Sequence, residues 1–121
     1  MVIDTSILID HLRKINRTHT YFAQLPPKTS LYVSAITVYE LLAGATDLAK
    51  RQDAQTLLAT LTILPIDEAI AAETAALYQS MKGNSIGLAD MLIAATVLHH
   101  NLPLKTLNAK HFSRVAGLVL A

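Results

Sequence analysis

The sequence predicts an α/β fold: one domain over residues 1–121, with a central parallel sheet of four to five strands between two layers of helices. Three observations carry this. Short apolar runs of strand length recur along the chain, at Met1–Ile3, Leu31–Val33, Thr62–Leu64, Leu104–Leu107 and Leu118–Leu120. Helical patterns separate them, as a parallel sheet covered on both faces requires. The composition is 52% hydrophobic but only 5% aromatic, which suits a core of Leu, Ile and Ala.

The elements follow in order. Met1–Ile3 is a buried strand running into a helix, because Ile7, Leu8, His11, Leu12 and Ile15 recur at helical spacing. That helix frays before Asn16. Tyr21–Leu25 reads as a weaker helix stopped by Pro26 and Pro27. After the Leu31–Val33 strand, Ser34 is an N-cap for a helix through Leu42, with Gly44 at its end. Thr46 or Asp47 caps the next helix, about Leu48 to Leu61. Pro65 ends the Thr62–Leu64 strand, and Asp67 caps an alanine-rich helix to Met81. Gly83 and Gly87 mark a turn before a helix from Leu88 to His100, closed by Asn101 and Pro103. The Leu104–Leu107 strand, a short helix at Lys110–Val115 and a strand at Leu118–Leu120 complete the chain.

Composition narrows the function. With 16% charged residues the chain is not a disordered one. Net charge is +1 and no basic run exceeds two residues, so charge neither implies nor excludes a nucleic-acid partner. Without cysteine there is no disulfide, thiolate zinc site or Cys nucleophile. No secretory signal is visible, and no apolar run approaches the ~18 residues of a membrane span. A soluble cytoplasmic protein without membrane contact is expected. No metalloprotease, nucleophile-elbow or P-loop pattern occurs.

The nine acids sort by their neighbours. Asp47, Asp67 and Glu68 lie at helix starts, where a carboxylate offsets free N–H groups. Asp10, Asp53 and Glu73 sit among polar or small residues, on solvated faces. Asp4 in VIDTSILI, Glu40 in AITVYELLAG and Asp90 in IGLADMLIAATV do not sort this way. Each projects from an apolar face, and an ionised carboxylate there is costly unless paired. Individually, each has a local solution: a helix cap for Asp4 or Asp90, an arginine for Glu40. A shared solution is a hard divalent cation, Mg²⁺ or Mn²⁺, held by Asp4, Glu40 and Asp90. Such an ion suits hydrolysis of a phosphodiester. Asp4 and Asn108 both follow strands, so both reach the crevice beyond the strand ends where ligands bind in open α/β sheets. Thr5, Ser6, Thr106 and Asn108 are the supporting polar residues. Ten lysines and arginines, among them Arg13, Lys14, Lys28, Lys50 and Lys110, are candidates for phosphate contacts.

DTS after a strand, then SAITVYELLAG, IGLADMLIAATV and KTLNAKHF with a C-terminal GLVL, resembles a PIN-domain ribonuclease of the VapC-like toxin group, over about Val2 to Val119. The resemblance implies a PIN-like three-layer α/β/α fold and an acidic pocket binding Mg²⁺ or Mn²⁺. It implies endonucleolytic cleavage of RNA, a homodimer, and a small antitoxin whose segment blocks the pocket. The family's catalytic acids fall on Asp4, Glu40 and Asp90, its hydroxyl residue on Thr5 or Ser6, and its fourth pocket position, often Asp, on Asn108. That asparagine removes one charge, so one well-held ion is expected before two. His111 lies near this position, either serving the pocket or packing beside Phe112. Alternatives are a non-catalytic module with a degenerate site and another phosphoryl-transfer enzyme. A haloacid-dehalogenase-like phosphatase would need an Asp where Ser6 stands, and a receiver domain would need an acidic pair.

Overall fold

The computed structural model describes residues 1–27 and 29–121; Lys28, one of the basic candidates, lies outside the described residues. The elements are β1 (Val2–Ile3), α1 (Thr5–Arg13), β2 (Tyr32–Ser34), α2 (Ala35–Gly44), α3 (Leu48–Leu58), β3 (Thr62–Leu64), α4 (Glu68–Ser80), α5 (Leu88–His100), β4 (Leu104–Lys105) and α6 (Ala109–Phe112). Among the described residues four strands form one parallel sheet in the order β3-β2-β1-β4. Helices flank it, as expected.

The two residues of β1 show how the layers are built. Successive strand residues point to opposite faces. Val2 joins a core cluster with Met91, Ile93, Val97 and Phe112, while Ile3 joins Ile7, Leu8, Val33 and Leu41 on the other side. Both are fully buried. Truncating such a side chain to Ala costs about 2–5 kcal/mol.

The caps explain where helices begin. Ser34 accepts from the Ile36 N–H at 3.2 Å, Asp47 from Lys50 at 2.8 Å and Asp67 from Ile70 at 3.0 Å. Each side-chain oxygen satisfies an N–H that has no partner within its helix. Asp47 and Asp67 are thus cap residues, as their positions suggested.

Several elements differ from expectation. Tyr21–Leu25 forms turns: Gln24 donates to the Thr20 carbonyl at 3.1 Å, and Leu25 donates to that of Phe22 at 3.2 Å. One turn ended by a proline does not offset the cost of helix nucleation. β2 lies one residue later than the Leu31–Val33 run, at Tyr32–Ser34. α3 stops at Leu58, where the Thr60 hydroxyl binds the Leu57 carbonyl at 2.7 Å. β4 stops at Lys105 because Thr106 turns into a polar network described below. The short last helix is Ala109–Phe112, begun by His111 and Phe112 donating to the Asn108 carbonyl. The final strand reduces to one parallel bridge, Leu104 to Leu120.

β1 has β2 on one side and β4 on the other. The chain therefore leaves β1 at the point where strand order reverses, beside the carboxyl end of β4, the position at which ligands bind in open α/β sheets.

Candidate active site

Asp4 follows β1 directly and is 3% exposed. It stands at the N-cap position of α1, yet its side chain caps nothing. Oδ2 instead accepts from Ser6 Oγ at 2.7 Å and Thr106 Oγ1 at 2.6 Å. Those hydroxyls in turn accept from the N–H groups of Leu107 at 3.1 Å and Asn108 at 2.9 Å. Two relays thus run from backbone N–H through hydroxyl to one carboxylate oxygen, and each bond polarises the next. The Asp4 N–H donates to the Lys105 carbonyl at 2.9 Å, which ties the residue to β4.

Glu40 projects from α2. Its Oε1 accepts from Thr5 Oγ1 at 2.7 Å, and Thr5 Oγ1 lies 3.0 Å from Thr37 Oγ1. Thr37 is fully buried and shares the Glu40 face, three residues earlier. It was not among the sequence candidates, although its spacing from Glu40 was the available signal.

Asp90 lies in the first turn of α5. The helix N-terminus favours its negative charge. Even so, its carboxyl is pushed above the usual range: burial is the largest cause, followed by the Asp4 charge, with Glu40 adding to it. The His111 imidazole acts in the other direction. Its Nδ1 lies 2.9 Å from Asp90 Oδ2, with the two side chains 38% and 25% exposed.

These three acids, far apart in sequence, are therefore near enough to repel. Among the described residues no lysine or arginine forms an ion pair with any of them. Thr5, Ser6 and Thr106 each donate to one of the acids. Asn108 enters differently. Its side chain is exposed and makes no cap bond, and only its backbone N–H joins the network. His111 meets both descriptions given for it, touching Asp90 and standing edge-on to Phe112 with ring centroids 6.1 Å apart.

The donor set suits a hard divalent ion. Its atoms are carboxylate oxygens, and their mutual repulsion is what a cation relieves. Among the described residues no three acids or imidazoles are gathered as a ready-made cage. Mg²⁺ does not require one, since it is held by one or two carboxylates and keeps several waters. No helix among the described residues is long and apolar enough to cross a membrane.

Known proteins share this fold. A family model described as "PIN domain" matches residues 1–118. Ribonuclease VapC10 of Mycobacterium tuberculosis (strain CDC 1551 / Oshkosh) is 32% identical over 114 residues, which cover 93% of this chain and 85% of that protein. Ribonuclease VapC1 of Methanocaldococcus jannaschii is 32% identical over 117 residues, covering 95% and 80%. Among solved structures, a toxin-antitoxin complex from Klebsiella pneumoniae superposes with a TM-score of 0.79 at 33% identity, covering 98% of this chain and 94% of that one.

Proposed function

The chain belongs to the PIN-domain family, and on that premise we propose that it is an endoribonuclease, the toxin of a toxin–antitoxin pair, whose Asp4–Glu40–Asp90 pocket works with Mg²⁺ or Mn²⁺. One observation carries the assignment of the pocket. Asp90 is pushed up by burial first and then by the Asp4 and Glu40 charges, and no lysine or arginine among the described residues pairs with the three acids. A family match along residues 1–118 leaves no place for the phosphatase and receiver alternatives.

A divalent ion bound here supplies the Lewis acidity for phosphodiester hydrolysis. Asp4 and Asp90 are the residues that would hold it, with Glu40 beside them. Ser6 and Thr106 both bond Oδ2 of Asp4, which fixes its rotamer and leaves Oδ1 outside that pair of bonds. Thr5 does the same for Glu40 through Oε1. Held in this way, the carboxylates need little reorganisation to meet developing charge. Thr5, Ser6 and Thr106 are positioning residues in this reading, and Asn108 contributes its N–H. Basic contacts to RNA phosphates would be scattered, giving salt-dependent binding without base selection. The cytoplasm is the place of action that an RNA substrate implies.

The antitoxin has a fitting surface. A cleft of about 490 Å³ borders Glu40 and is lined by Leu12, Arg13, Leu41, Lys50 and Ala54 among others. Its mixed apolar and charged wall suits an amphipathic segment that reaches Glu40 and blocks the pocket from that side. A second copy has one too: the hollow beside Tyr78, Leu88, Met91 and Leu92, whose lining carries no charged residue.

Purified protein with Mn²⁺ or Mg²⁺ is expected to cleave structured RNA, and a chelator is expected to stop it. Cleavage that persists in chelator would remove the metal from the account. Neither Mn²⁺ binding nor cleavage would favour the non-catalytic module.

A further inference from the structure

We infer that His111 is the positioning residue for Asp90, its Nδ1 holding Oδ2 so that the carboxylate is presented to the ion in one orientation. The inference rests on the metal-pocket reading above. Each of the other two acids already has such a partner. Asp4 has Ser6 and Thr106, and Glu40 has Thr5. Asp90 has no hydroxyl donor among the described residues. The side chain within contact of its carboxylate is His111, at 2.9 Å.

The placement of His111 is built into the fold. Phe112 is fully buried in the cluster that also holds Met91, Ile93 and Ala94 of α5. α6 is therefore anchored against the helix that carries Asp90. The Asn108 carbonyl accepts from the N–H groups of His111 and Phe112, at 2.9 and 3.2 Å, and fixes the turn. With Phe112 directed into the core, the adjacent His111 is left at the pocket, edge-on to the Phe112 ring. Asn108, at the position where the family's fourth acid falls, has an exposed side chain. An imidazole that donates to a carboxylate through Nδ1 carries a proton on that nitrogen, whichever form the ring takes.

The test is Mn²⁺ affinity of the purified chain, measured by calorimetry on wild type, His111→Ala, His111→Asn and Asp4→Ala. Loss of a group that orients a metal ligand typically weakens the metal about 10–100-fold. His111→Ala is expected to fall in that range. His111→Asn, which puts an amide N–H near the Nδ1 position, is expected to recover most of the affinity. Melting curves on the same samples establish that each variant is folded. If His111→Ala binds Mn²⁺ as wild type does, or if Ala and Asn variants are equally weak, the inference fails while the pocket stands. If wild type and Asp4→Ala are alike in binding none, the metal reading itself falls and the inference goes with it.

Discussion

Two aspartates on helices of this chain meet opposite environments. On the α1–α3 flank, Asp53 accepts from both terminal nitrogens of the Arg17 guanidinium, at 2.9 and 2.5 Å. The hydrogen bonds from Arg17 hold its carboxyl below the usual range. At the strand ends, Asp90 is pushed above that range by burial and by Asp4. The flank is locally neutralised and solvent-facing, where an ion pair contributes about 0–1 kcal/mol. The pocket gathers like charges and supplies hydroxyls to Asp4 and Glu40 and one imidazole to Asp90, in place of an arginine or lysine. A pocket arranged only for stability would have acquired its own arginine. The difference is the basis of the proposed cation site.

The comparison breaks most visibly if its two sides respond alike to mutation. Asp4→Ala and Asp90→Ala are each expected to lower RNA cleavage at least ~100-fold, since they remove groups that act on developing charge. Gel assays at matched protein concentration would show it, and wild-type rates in both variants would return these acids to the class of Asp53. Thr106→Val should be milder, about 10-fold in Mn²⁺ affinity or cleavage rate, because Ser6 still holds Oδ2 of Asp4.

Stability should move the other way. A carboxyl whose folded pKa is raised favours the folded state while protonated, and loses that contribution as pH rises from the ordinary value through the raised one. At pH 7 in chelator, Asp90→Asn should therefore melt higher than wild type, which a thermal scan of the two would show. Added Mn²⁺ should stabilise wild type and leave this variant unmoved.

The smallest effect belongs to the surface. The Glu73 hydrogen bond raises the His99 imidazole above its usual value. Its contribution to stability is present below the ordinary histidine pKa and fades as pH rises through the raised one. Glu73→Gln should return the His99 titration, followed by NMR, toward the ordinary value. RNA cleavage should be unchanged.

Much of the fold was legible because strand runs, caps and helix stops are local signals. Ser34, Asp47 and Asp67 cap through their own side chains within three residues. Tyr21–Leu25 misled because helical composition over one turn does not ensure a helix. The site was legible in two ways: as charges in apolar segments without nearby basic residues, and through the ordered motifs that resemble the family. Its wiring was not. Thr106 reaches Asp4 across 102 positions, and Thr37 meets Thr5 across 32. Nothing in either segment announces its partner. His111 was left between two roles because its neighbour Phe112 explains it locally, while Asp90 explains it only once α5 and α6 are packed.

The most direct test is an anomalous-difference map from crystals soaked in Mn²⁺. A peak is expected within coordination distance of the Asp4 and Asp90 carboxylates, with Glu40 beside it. A map with no peak in that pocket, or with Mn²⁺ held only by surface carboxylates such as Asp10 or Glu73, would contradict it.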